Sequence, residues 1–191
     1  ARLRGVELTG KQKISNRRIR KILADELEAS LRALQTDFVD ILLVHGASEP
    51  AQINHPAVMD FFRDMQKEGK IRFPGFSSHS NQLEMVRLNN EHAFYRVVMI
   101  PYNPFGEFVH SNSGWHTSWD QEAMRTALEQ AQARGIGTVA MKTCSGGPYS
   151  SDGKADPSYH HAVKWVTSQP FMNTAAVAMT SYREIDQILG K

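Results

Sequence analysis

The sequence predicts an α/β protein with a buried parallel sheet, and three observations carry that prediction. The run Ile41-Leu42-Leu43-Val44 has no polar alternation, so both faces of that strand are expected to be covered, as when helices pack on either side of a sheet. Strand-like and helix-like segments alternate along the whole chain, the pattern of repeated βα units. The GxGxxG turn of doubly wound dinucleotide folds is absent from the sequence, which shifts the expectation toward a parallel barrel.

Ile19, Ile22, Leu23, Leu27, Leu31 and Leu34 recur every three or four residues and predict a long helix capped by Ser15 or Asn16. The apolar strand after it delivers His45 and Gly46 at its downstream end. Val58, Phe61, Phe62 and Met65 then repeat the helical spacing, and Gly69 is placed to stop that helix. Residues 71–76 read as a short strand. Ser77-Ser78-His79-Ser80 makes the next turn, with Ser80 expected to cap a helix through Leu83, Val86 and Leu88.

Residues 97–100 are another buried run, broken by Pro101 in Pro101-Tyr102-Asn103-Pro104. The stretch 105–119 holds Phe105, Phe108, His110, Trp115, His116 and Trp119 and reads as a long connection without regular structure. It serves either as an aromatic wall for a pocket or as a satellite cluster holding the loop down. A helix over 121–134 ends at Gly135 and leads to a strand over 138–141 and the Ser145-Gly146-Gly147-Pro148 turn. Ala162 and Trp165 lie on a following helix, residues 175–178 read as a final strand, and Ser181 begins a last helix.

The 191 residues suit one domain, 1–191, and suffice to bury a sizeable core. Hydrophobic residues at 41% and charged residues at 22% are ordinary for a soluble globular protein. A net charge of +2 is too small to argue for a nucleic-acid partner. The one basic cluster, Arg17-Arg18-Ile19-Arg20-Lys21, is soon followed by Asp25, Glu26 and Glu28, as on a solvated helix face. Cys144 is the only cysteine, which excludes an internal disulfide and a multi-cysteine zinc site in this chain. No apolar run approaches the roughly 18 residues of a membrane span, and no signal peptide is visible. A cytoplasmic location is therefore expected, with an exported form left open because the sequence starts in mid-pattern.

A histidine at the carboxyl end of a buried parallel strand sits where α/β barrels and open α/β sheets place their chemistry, so His45 leads the candidates. Around it, Ser30-Leu31-Arg32-Ala33-Leu34-Gln35-Thr36-Asp37-Phe38-Val39-Asp40 runs into Leu42-Leu43-Val44-His45. Gly69-Lys70-Ile71-Arg72 leads to Gly75-Phe76-Ser77-Ser78-His79, and Pro101-Tyr102-Asn103 and Gly135-Ile136-Gly137-Thr138-Val139-Ala140-Met141-Lys142 follow. In order and spacing these segments resemble the fourth to seventh strands of the aldo-keto reductases.

That resemblance implies a partial (β/α)8 TIM barrel with parallel strands three to eight and intervening helices, a fragment lacking the first two strands. Its parent would transfer hydride from NADPH, with NADH possible, to a small-molecule aldehyde or ketone, with no metal, nucleic acid or membrane involved. Val6-Glu7-Leu8-Thr9-Gly10-Lys11 is similar to the third strand, which makes Lys11 the family's active-site lysine and His45 its histidine. The aspartate and the proton-donating tyrosine belong upstream of this sequence, so the isolated 191 residues are expected to be inactive or nearly so.

By the same resemblance Ser77 and Ser78 hold the nicotinamide carboxamide, while Met99 stands where many members carry a glutamine for that contact. Met141 covers the nicotinamide ring. Lys142, Ser145 and the Gly146-Gly147 turn approach the pyrophosphate. Thr180, Ser181 and Arg183 lie where the adenosine 2′-phosphate is recognised, with Glu184 competing for the position of the cation.

Each candidate has a plainer reading beside the functional one. Lys11 can be a surface lysine, His45 a strand-end histidine satisfied by backbone, Ser77 and Ser78 a helix-capping turn, and Met141 core filling. Two other functions remain open at this level. His45 and His79 both follow strands, as ligands of a metal-dependent barrel hydrolase would. A nicotinamide-binding regulatory barrel without turnover is the third.

Overall fold

The computed structural model describes residues 2–4, 14–109, 114–145, 147–150 and 156–191. The chain divides into two compact units, residues 1–98 and 99–191, each built from alternating strands and helices.

The first unit starts with β1 (Arg2–Arg4) and α1 (Asn16–Leu34). Ser15 caps α1, its Oγ accepting from the Arg18 amide at 3.3 Å. The row Ile19, Leu23, Leu27 and Leu31 is buried as the spacing predicts. Leu34, expected on the same face, is 57% exposed, because it lies in the last turn beyond that row.

Next come β2 (Val39–His45), the short α2 (Pro50–Asn54), α3 (Pro56–Lys67) and β3 (Ile71–Ser77). Pro56 opens α3, His55 caps it, and Val58, Phe61, Phe62 and Met65 are buried. Gly69 turns the chain out of α3 at φ +73, a conformation only glycine adopts without strain. β1, β2 and β3 pair in parallel, with Arg4 opposite His45 and Val44 opposite Phe76. Parallel pairing brings the downstream ends of β2 and β3, His45 and Ser77, to one edge of the sheet.

Leu42, Leu43 and Val44 are buried, but Ile41 and its register partner Phe73 are exposed. Alternate residues share a face, so the face carrying Ile41, Leu43 and His45 is covered only in its downstream part. Asn81, rather than Ser80, occupies the cap position of α4 (Gln82–His92), in left-handed backbone at φ 54. Its side chain makes no cap bond and donates instead to the Ser48 carbonyl at 3.1 Å, tying the loop after β3 to the loop after β2.

The core of this unit gathers on Tyr95, whose ring meets Phe62 and Phe76 edge-on. Its hydroxyl donates to the Ile53 carbonyl at 2.7 Å, and burial pushes the phenol far above its ordinary pKa. β4 (Val97–Pro101) begins in this unit, in the strand order β1-β2-β3-β4.

The second unit continues from β4 through β5 (Glu107–Val109), β6 (His116–Ser118), α5 (Gln121–Ala133), β7 (Gly137–Met141), α6 (Tyr159–Thr167), β8 (Thr174–Ala175) and α7 (Tyr182–Leu189). β7 and β8 pair in parallel, in the order β4-β7-β8. Among the described residues neither run of strands closes on itself. Phe171, Tyr102, Leu128 and Val166 are buried here, and Tyr102 stacks on Trp165 at 5.5 Å.

The stretch expected to lack regular structure contains an antiparallel pair, β5 with β6, in which Phe108 faces Thr117. The final strand is Thr174–Ala175, shorter than and upstream of most of 175–178. The predicted third strand over 6–11, Lys11 included, lies outside the described residues. The strand beside β2 is Arg2–Arg4.

Candidate active site

β2 ends at His45, and Gly46 at φ +72 turns the chain away so that Ala47 can donate to the Ser77 carbonyl at 2.8 Å. The Gly46 amide donates to Ser77 Oγ at 3.3 Å. Ser77 therefore stitches the two strand ends together while its own hydroxyl proton is left to donate. Ser78 is fully buried, and its Oγ donates to the Ser80 carbonyl at 2.5 Å, leaving lone pairs only. His45 is half-buried, its ring meeting that of His79 edge-on at 5.8 Å between centroids.

His45, Ser77 and Ser78 are thus brought together at one strand edge, with His79 beside them. Among the described residues no group of three or more His, Cys, Asp or Glu side chains is placed to hold a metal ion. The sequence reading missed Gln82. At the first position of α4, its Nε2 is buried with no hydrogen-bond partner among the described residues. A glutamine at a helix start carries no motif signal, so only coordinates could single it out.

In the second unit Met141 ends β7, buried, its carbonyl accepting from the Tyr102 amide at 3.0 Å. Lys142 follows in left-handed backbone at φ 57, a strained state for a residue with a side chain. Its Nζ lies 5.5 Å from the Phe108 ring centroid, and among the described residues no carboxylate pairs with it. The Lys142 carbonyl accepts from Asn103 Nδ2 at 3.2 Å and from the Ser145 amide at 3.1 Å. Cys144, next in line, is half-buried, and burial pushes its thiol up, away from the thiolate that reactive cysteines need.

Ser181 caps α7, its Oγ accepting from the Glu184 amide at 3.2 Å. Glu184 reaches back so that the Thr180 amide and hydroxyl donate to its carboxylate, which holds that carboxyl below its ordinary pKa. Glu184 is therefore engaged in the cap, while Arg183 in the same turn is exposed. Its guanidinium and the Lys142 ammonium are the two cations among the candidate residues of this unit.

The family model described as the aldo/keto reductase family matches residues 6–161. This chain belongs to the aldo/keto reductase family. His45, Ser77, Ser78, Met141 and Lys142 lie inside the matched stretch of this aldo/keto reductase chain, and Ser181 and Arg183 lie beyond it. Among solved structures, a Pseudomonas aeruginosa protein assigned as an aldo-keto reductase aligns at 20% identity and TM-score 0.66, over 97% of this chain and 62% of its own. The holo form of the aldo-keto reductase AKR11C1 from Bacillus halodurans aligns at 17% identity and TM-score 0.64, over 97% and 63%. Aldose reductase from Giardia lamblia aligns at 15% identity and TM-score 0.58, over 89% and 62%. The chain thus spans less than two thirds of these relatives, and at such identities the likeness is one of fold. Among curated protein sequences none matches significantly. No helix among the described residues is long and apolar enough to cross a membrane.

Proposed function

We propose that the protein carrying this chain reduces a small-molecule aldehyde or ketone with NADPH, with NADH as the weaker alternative. The observation that carries this reading is the convergence of His45 and Ser77 at the downstream ends of adjacent parallel strands, in a chain of the aldo/keto reductase family.

The donor set suits a phosphate-bearing dinucleotide. The Lys142 ammonium has no carboxylate partner among the described residues, and the Arg183 guanidinium is exposed. When bound, the cofactor supplies the hydride that adds to the carbonyl carbon. His45 donates a hydrogen bond to the carbonyl oxygen, orienting it and stabilising the negative charge that develops there. The Ser77 hydroxyl donates to the nicotinamide carboxamide and Met141 covers the ring, while Ser78, fully buried and donating to the Ser80 carbonyl, supports the turn that carries Ser77. Lys142 neutralises the pyrophosphate, and Ser181 and Arg183 hold the 2′-phosphate, which favours NADPH.

Lys11, by family resemblance, lowers the pKa of the tyrosine that protonates the oxygen. None of the 191 residues matches that tyrosine. Tyr102 does not replace it, because burial pushes its phenol up to about 12 and leaves it a poor acid at neutral pH.

The test is NADPH consumption by the protein carrying this chain against a panel of aldehydes and ketones. His45→Ala is expected to lower kcat/KM about 100-fold, the scale of removing one donor to a developing oxyanion, with NADPH affinity kept. Nucleotide binding without turnover on any carbonyl would favour a regulatory barrel. Absence of both would remove the oxidoreductase reading.

A further inference from the structure

Lys142 is held at two points by the segment that runs from the end of β4 into the β5–β6 hairpin. Asn103, fully buried, donates from Nδ2 to the Lys142 carbonyl at 3.2 Å and to the Glu107 carbonyl at 2.8 Å, and accepts at Oδ1 from the Phe105 amide at 3.0 Å. One side-chain amide thereby ties the first residue of β5 to the strained backbone of Lys142. The second hold is on the charge. Phe108, 1% exposed in the middle of β5, presents its ring to the Lys142 ammonium, and the Trp115 ring meets Phe108 edge-on at 5.7 Å.

The choice of partner matters. The adjacent carboxylate, Glu107, pairs instead with His116 across the hairpin at 3.0 Å. A carboxylate under the ammonium would neutralise it, whereas an aromatic face attracts a cation without cancelling its charge. The Lys142 charge thus stays available to an anion while its direction is restricted.

We propose that Phe108 is a positioning residue, which aims the Lys142 ammonium at the phosphates of the bound dinucleotide while Asn103 holds the backbone beneath it. This rests on the reading of Lys142 as a phosphate ligand. It assigns the β5–β6 hairpin a part in nucleotide recognition, through contacts that never touch the nucleotide.

The test combines a spectroscopic readout with a double-mutant cycle. Ring current from Phe108 is expected to shift the Lys142 ε-methylene protons upfield in the wild-type protein without nucleotide, and Phe108→Leu to abolish that shift. Phe108→Leu is expected to weaken NADPH binding about threefold, the lower end of the cation–π range, and to have no effect once Lys142→Met is present. Equal weakening in both backgrounds, or no upfield shift in the wild type, overturns the positioning role. If Lys142→Met leaves NADPH affinity unchanged, the phosphate reading of Lys142 itself fails, and the proposal falls with it.

Discussion

At the residue scale, His45 depends on the pleat beneath it. Leu43 shares its face and lies over Gly75, where a Cβ would overlap the Leu43 side chain and come within 2.6 Å of the Val97 carbonyl oxygen. A backbone carbonyl cannot swing aside, so Gly75→Ala is expected to destabilise the fold by ~1–3 kcal/mol, read from urea unfolding. An unchanged midpoint would mean that β3 and its neighbour pack less closely than described. His45 and Ser77 were legible in the sequence because a strand followed by a polar or glycine residue announces its own end. Asn103 was not. Its importance comes from joining residues 39 apart, Asn103 and Lys142, and nothing in the local pattern foretells that contact. Lys142 was legible as a charge near a glycine turn, but its positive φ and aromatic neighbour were not.

At the element scale, α7 shows how a short helix is held in place. Thr180 donates its backbone N–H and its hydroxyl to the Glu184 carboxylate, depressing its pKa below the ordinary 4.5. A carboxyl with a depressed folded-state pKa stabilises fully above its unfolded value and loses that contribution as pH falls through the folded value. Amide exchange in α7 is therefore expected to accelerate as pH drops below 4.5, beyond the intrinsic pH dependence of exchange, and Glu184→Gln to remove the excess. A parallel response in the two proteins would contradict the cap. At α1, Ser15→Ala is expected to cost about 1 kcal/mol in thermal unfolding, the typical value of a lost N-cap. The long helices were legible because three or more turns repeat a hydrophobic row. The β5–β6 hairpin, the five-residue α2 and the two-residue β8 were missed or misplaced because so few residues carry no period.

At the scale of the whole molecule, alternation of strand and helix foretold the parallel order, since a crossover helix is what lets successive strands run the same way. The structure bears this out in the β1-β2-β3 and β7-β8 pairings. Relatives at 15–20% identity share the fold over most of this chain, while the chain spans 62–63% of their length. Fold alone does not assign chemistry, so the functional reading stands on the residues at the strand ends. The measurement that tests it most directly is a fluorescence titration of the protein carrying this chain with NADPH and with NADH. Saturable binding of both is expected, about tenfold tighter for NADPH because one more charged group is paired. Lys142→Met should weaken both, and Arg183→Ala should erase the difference between them. Binding of neither nucleotide would contradict the assignment.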